Sequence, residues 1–171
     1  MRCKVILGIA LVQLVFFVCW PTISSAGLFK VIRVYDGDTI KAVGHDIEIK
    51  VRLVGIDAPE TSKGKHKAGQ PFGRKAEKHL AGLVLNRVVD IKGYGSDRYG
   101  RILAEIYIDD RNINIEMLKS GYAEIYSGRA PRDLYMKEYK KAEDWARSAG
   151  QGIWSLGEHY ISPALWRKSK M

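Results

Sequence analysis

Two short acidic segments could carry chemistry. Asp36 and Asp38 flank Gly37, and Asp57 and Glu60 flank Ala58-Pro59. Hard cations such as Ca2+ take several oxygen ligands, mostly carboxylate and carbonyl. Two acidic turns at the ends of strands supply that kind of donor. The spacing is not an EF-hand, because no D-x-D-x-D-G run closed by Glu is present. Taken alone, Asp-Gly-Asp also fits an ordinary turn. Two arginines accompany the acids. Arg52 stands five residues before Asp57 among Val51, Leu53 and Val54, and Arg101 follows Tyr99-Gly100. A guanidinium among apolar neighbours calls for an anionic partner, either a phosphate or a structural carboxylate. Carboxylates that hold a metal, one further carboxylate and two guanidinium groups are the components of phosphodiester hydrolysis. Zinc chemistry has no support: there is no CxxC, and His45, His66, His79 and His159 lack ligand spacing.

These groups need a frame that gathers distant turns. Phe29, Val31 and Val34 mark a strand over 27–35, and Asp36-Gly37-Asp38 reads as the turn that ends it. A second strand covers 39–43. Alternation at Ile47, Ile49, Val51 and Leu53 places a third over 47–56, with Arg52 on the face opposite Val51 and Leu53. The stretch 61–70, with Lys63, Lys65, His66 and Lys67, reads as a basic loop. Pro71 opens a helix that lines up Phe72, Ala76, Leu80 and Leu83. Strands over 88–93 and 102–108 follow. Asn114 is expected to cap a short helix ending at Gly121. A last helix is expected to start at 131–133 and to bury Tyr135, Tyr139, Ala142, Ala146 and Ala149, with Ile153-Trp154 folding back behind it. Three strands, a helix and two strands give the order of an OB-type barrel. The fold class is therefore α+β with a mainly β core: a five-stranded OB-fold barrel with three helices. No helix comes early enough for a Rossmann unit, and no glycine-rich phosphate loop follows a strand.

Composition bounds the partners. The chain has 171 residues, with 28 Lys and Arg against 19 Asp and Glu, a formal charge of +9. That excess favours nucleic acid, anionic lipid or another polyanion without choosing among them. A hydrophobic content of 46% with 27% charged residues excludes wholesale disorder. Residues 1–26 stand apart. A basic start (Arg2, Lys4) precedes a 16-residue apolar run over 5–20, broken by Gln13, and small or polar residues lead to Ala26. This is the pattern of a secretory signal peptide cut after Ala26. An uncleaved anchor is the alternative, although the run is short for a bilayer span of roughly 20 residues. A lipoprotein reading of Cys19 is opposed by the bulky Val18 before it. Cleavage removes both cysteines and leaves +7 on residues 27–171, one domain that can bury a core without disulfides. Secreted or periplasmic location is the expectation, with membrane contact only if the leader stays attached.

Four segments resemble the staphylococcal nuclease (thermonuclease) family. They are Val34-Tyr35-Asp36-Gly37-Asp38-Thr39, the run from Val51 to Thr61, Asp97-Arg98-Tyr99-Gly100-Arg101, and Gly152-Ile153-Trp154-Ser155. They occur in the family's order over about residues 28–156. The resemblance implies an OB-fold with three helices and Ca2+-dependent cleavage of DNA and RNA on the 5′ side of phosphates, leaving 3′-phosphate products. Asp38 and Asp57 match the calcium carboxylates, and the backbone carbonyl of Ala58 a third ligand, at a position that is Thr in the best-known member. Asp36 matches a supporting acid. Glu60 matches the general base, Arg52 and Arg101 the phosphate-binding arginines, and Tyr99 a nucleotide-site residue, with Tyr126 as a second. DNA and RNA are the implied partners; no stable protein partner is implied, and a monomer is expected. The alternative is a non-catalytic OB-fold module that binds nucleic acid. Such copies typically lose the carboxylates or arginines, and all five key side chains are present here.

Overall fold

A computed structural model of the chain describes residues 27–62 and 69–169. The leader reading for 1–26 and the loop side chains Lys63, Lys65, His66 and Lys67 lie outside the described residues. The chain runs through β1 (Leu28–Val34), β2 (Thr39–Gly44), β3 (Ile47–Leu53), β4 (Ile56–Asp57), α1 (Gly73–Val84), β5 (Val88–Ser96), β6 (Ile102–Ile108), β7 (Arg111–Asn112), α2 (Ile113–Lys119), β8 (Glu124–Ile125) and α3 (Met136–Ser148). A 3-10 segment (Gly152–His159) and α4 (Pro163–Ser169) follow.

β1, β2 and β3 form an antiparallel meander, β1 continues to β5, and β5 to β6. A parallel pairing of β3 with β6, Val51 opposite Ile102 and Leu53 opposite Ala104, closes the five strands into a barrel. Alternation along each strand sends one set of side chains inward. Val31, Ile40, Ala42, Val51, Leu53, Val89, Ile91, Ala104 and Ile106 are buried. α1 contributes Ala76, Leu80 and Val84 to this core, α2 Met117 and Leu118, and α3 Tyr139 and Ala142. Fully burying a side chain of Leu or Ile size contributes about 1.5–3 kcal/mol, so the closed barrel is a firm support for its turns. The expected α+β, OB-type architecture is therefore present.

Four details depart from the sequence reading. The third strand stops at Leu53 rather than reaching Ile56. Gly55 turns the chain at φ +78°, where an added Cβ would lie 2.8 Å from carbons of Leu134 and Tyr139. Ile56 and Asp57 leave the barrel and pair with Ile125 and Glu124. The cap of α2 is Asn112, whose side chain accepts a bond from the Ile115 amide. Asn114 is fully buried instead: it accepts from Ile106 N and donates to the carbonyls of Val54 and Ala104, fastening the end of β3 to β6. α3 starts at Met136, after Tyr135, which is exposed, as is Ala149. Glu143 takes a buried place on that helix and accepts a bond from Ile125 N. Finally, α4 stands beyond the three expected helices. The fold-back of Ile153 is as expected: it is buried, with its amide bonded to Gly121 O.

Candidate active site

Three turns at one end of the barrel bring the acids together. The β1–β2 turn carries Asp36 and Asp38. Asp36 Oδ1 accepts a bond from Asp38 N at 3.0 Å, which folds the turn on itself. Asp38 Oδ2 accepts from Ala58 N at 2.8 Å, and its Oδ1 from Thr39 Oγ1 at 3.0 Å. The Asp38 side chain is thus fixed against the β4 segment that holds Asp57 and Ala58. Thr39 pairs with Arg52 across β2 and β3, so the turn and the arginine share one edge of the barrel.

Arg52 sits between the two acids. Its Nη1 is 2.5 Å from Asp38 Oδ2, and its Nη2 donates to Asp57 Oδ1 at 3.0 Å. All three side chains are largely buried, and Asp57 is only 1% exposed. The strand alternation that put Arg52 opposite Val51 and Leu53 is what aims it here. Of the two partners that the sequence left open for Arg52, the structure shows the carboxylates, with Nη1 on Asp38 and Nη2 on Asp57.

The electrostatics are those of crowded acids. Burial, and then the neighbouring Asp38, push the Asp36 carboxyl up to about 7. Burial also raises Asp57, against the opposing pull of Arg167 and Arg52. Burial would lower Arg52, but Asp38, Asp57 and Asp36 together hold its guanidinium above the usual arginine value.

Glu60 is joined to this cluster by a residue that the sequence reading missed. Arg167, on α4, donates from Nη1 to Asp57 Oδ1 at 3.1 Å and from Nη2 to Asp57 Oδ2 at 2.7 Å. Its Nη1 also donates to Glu60 Oε1 at 2.9 Å. The Glu60 backbone is held separately: its amide donates to Gln70 Oε1, and its carbonyl accepts from Gln70 N.

Arg101 approaches from the β5–β6 connection. Asp97 fixes it, accepting from Nε at 2.7 Å with Nη2 at 2.6 Å, while Nη1 lies 3.5 Å from Thr39 Oγ1. Thr39 is in turn bonded to Asp38, so a short polar chain links Arg101 to the acids. Burial would raise Asp97, but bonds from Arg101 and Tyr99 hold it below the usual carboxylate range. Tyr99 is 68% exposed, with the guanidinium carbons of Arg98 and Arg101 at 4.9 and 5.6 Å from its ring centroid. Tyr126 is half exposed, one residue beyond β8, with its amide bonded to Gly55 O. The structure therefore joins Asp36, Asp38, Asp57, Ala58, Arg52 and Glu60 in one cluster and connects Arg101 through Thr39. It leaves Tyr99 and Tyr126 on the surface.

The donor set suits a hard cation. Asp38 and Asp57 offer carboxylate oxygens, and the Ala58 amide is bonded to Asp38 Oδ2. A guanidinium already bridges the two carboxylates, so they face a common position that accepts positive charge. Among the described residues, no group of three or more His, Cys, Asp or Glu side chains is placed to hold a metal ion.

Comparison with known proteins identifies the family. The model of a family described as staphylococcal nuclease homologue matches residues 50–156. The chain is 37% identical over 142 residues to an uncharacterized endonuclease of Haemophilus influenzae, covering 82% of this chain and 73% of that one. It is 32% identical over 161 residues to an uncharacterized endonuclease of Escherichia coli, covering 93% and 97%. A prophage-derived endonuclease of Bacillus subtilis is 36% identical over 126 residues, covering 72% of this chain and 42% of the relative.

Proposed function

The chain belongs to the staphylococcal nuclease family, and on that premise we propose that it is an endonuclease that hydrolyses phosphodiester bonds of DNA and RNA, requires Ca2+ and leaves 3′-phosphate products. One observation carries the reading: turns far apart in sequence converge to set Asp38, Asp57 and Glu60 around guanidinium groups. Burying such pairs gains little or no stability over apolar side chains, and clustered, perturbed acids of this kind mark functional sites. Calcium, when bound, would supply positive charge against a non-bridging phosphate oxygen. Asp38, Asp57 and the Ala58 carbonyl would hold it, with Asp36 steadying the Asp38 turn.

The chain's own residues account for the remaining steps. Glu60 takes the proton from the attacking water, from a backbone that Gln70 holds in place. Arg52, paired here with Asp38 and Asp57, supplies one guanidinium for the phosphate. Arg101 is presented by Asp97 with one amino group toward Thr39 and the acids. Donors held in place before the reaction stabilise the charge that grows on the phosphate in the transition state. The exposed Tyr99 ring offers a face for a base.

Incubating single-stranded DNA with the purified protein, with Ca2+ and with a chelator, tests the activity; end-labelling identifies 3′-phosphate products. Glu60→Gln and Arg101→Ala should each lower kcat by about 100-fold or more with the far-UV circular dichroism unchanged. Binding without cleavage in Ca2+ would overturn the enzyme reading in favour of a binding module. N-terminal sequencing of the exported protein tests the proposed cut after Ala26 and with it the secreted or periplasmic location.

A further inference from the structure

Nothing in the acidic turns required an arginine from α4, yet Arg167 makes the most complete set of bonds in the site. We propose that Arg167 is a further positioning residue: it holds Asp57 and Glu60 together in the metal-free protein and competes with the cation for Asp57, so that α4 is a clasp that metal binding loosens. This rests on the metal site proposed above.

Both oxygens of Asp57 are engaged. Oδ1 accepts from Arg52 Nη2 and Arg167 Nη1, and Oδ2 from Arg167 Nη2. A cation that uses Asp57 must take at least one of these oxygens. The two guanidinium groups differ in how they can respond. Arg52 belongs to β3, which is paired with β2 on one side and β6 on the other, and its side chain is 12% exposed. Arg167 belongs to a seven-residue helix and is 39% exposed. Arg167 is therefore the group with room to move away. The root of α4 is anchored independently: Gln70 Nε2 donates to Ile161 O at 2.6 Å, and Trp166 N donates to Ser162 O at 2.9 Å. Release of Arg167 can thus loosen the last turn while the root stays docked.

The test uses calorimetric Ca2+ titration of wild type, Arg167→Ala and Arg167→Lys, with hydrogen exchange of the α4 amides with and without Ca2+. Losing a two-pronged, charge-assisted pair should tighten Ca2+ binding by about tenfold or more in Arg167→Ala. Arg167→Lys, which keeps the charge without the fork, should fall between. Wild-type α4 should lose protection when Ca2+ is added, whereas in Arg167→Ala it should be weakly protected throughout. Equal or weaker Ca2+ binding by Arg167→Ala, or α4 protection that ignores Ca2+, would overturn the clasp while leaving the metal site standing. No Ca2+ binding by any of the three proteins would remove the metal site and the clasp with it.

Discussion

Arg52→Ala takes positive charge from two buried carboxylates at once, and its cost can be worked from their remaining partners. Breaking a buried ion pair from one side commonly costs 3–5 kcal/mol, that is, about 3–5, because the other charge is left without its partner. Asp57 would keep Arg167 on both oxygens, so its share of the loss is small. Asp38 would keep the neutral donors Ala58 N and Thr39 Oγ1, so the loss falls mainly there. The expected cost is about 3 kcal/mol at pH 7 in chelator, the low end of that range. Against a domain stability of about 5–15 kcal/mol the variant should still fold. The deficit should depend on pH with a definite sign. Burial already raises Asp57 against the pull of Arg52, and removing that cation pushes it further up. Carboxylates whose folded pKa exceeds the unfolded one bind protons preferentially in the folded state, so the deficit shrinks as pH falls from 7 toward 5. If the acids form a cation site, Ca2+ should restore part of the loss, since a ligand that binds the folded state stabilises it. Urea unfolding at pH 7 and pH 5, in chelator and in Ca2+, reads all three effects. A variant within about 1 kcal/mol of wild type in chelator, or a deficit that deepens on acidification, would refute the view that Arg52 balances this cluster.

Other parts of the molecule yield equally direct expectations. Glu105 is buried and accepts bonds from Lys92, Tyr94, Asn112 and Tyr139, which tie β5, β6, the start of α2 and α3 together. Burial would raise it, but these bonds hold it below the usual carboxylate value. Glu105→Gln should cost about 2–3 kcal/mol at pH 7. That contribution is present above the unfolded pKa and is lost as pH falls through the lower folded one, so the urea midpoints of variant and wild type should draw together on acidification. In Gly73→Ala, the new methyl would stand 2.2 Å from Glu60 O. The Glu60 backbone must shift, and kcat should fall by roughly 10-fold to 100-fold while the barrel remains folded; unchanged kcat would separate the Glu60 backbone from catalysis. In chelator, NMR of the carboxyl carbons should find Asp36 titrating at about 7. Asp38→Asn should lower that value, because the Asp38 charge is the largest contribution after burial.

Much of the fold was legible because a small closed barrel imposes strict alternation. Val31, Val51 and Leu53 could be assigned inward from their spacing alone, and the same parity aimed Arg52 at the acids. The acidic turns were legible because the residues that form them are contiguous. The break after Leu53 was not, since Val54 and Ile56 continue an apolar run; Gly55 turns there at a positive φ, and Leu134 and Tyr139 leave no room for a side chain on it. The choice of Asn112 over Asn114 as the cap is equally tertiary. Both are good capping residues, and the one that fits between Val54 and Ala104 is buried for that reason.

Arg167 was out of reach for a different cause: it stands 107 residues from Glu60, so no local pattern joins the two. The available signal was local. Ser162 precedes Pro163, and Ser162 Oγ accepts a bond from Leu165 N, a serine cap before a proline suited to a first turn. That pattern announces a helix without saying where it docks. Once α4 is docked, the charge in the site can be counted. Asp36, Asp38, Asp57 and Glu60 face Arg52 and Arg167, while Arg101 is committed to Asp97. The cluster keeps an excess of negative charge in a chain whose overall charge is +9. The global excess draws a polyanion toward the molecule, but the phosphate meets acids when it arrives. A divalent cation bound first would reverse that local sign, which makes metal before substrate the order that the charges favour.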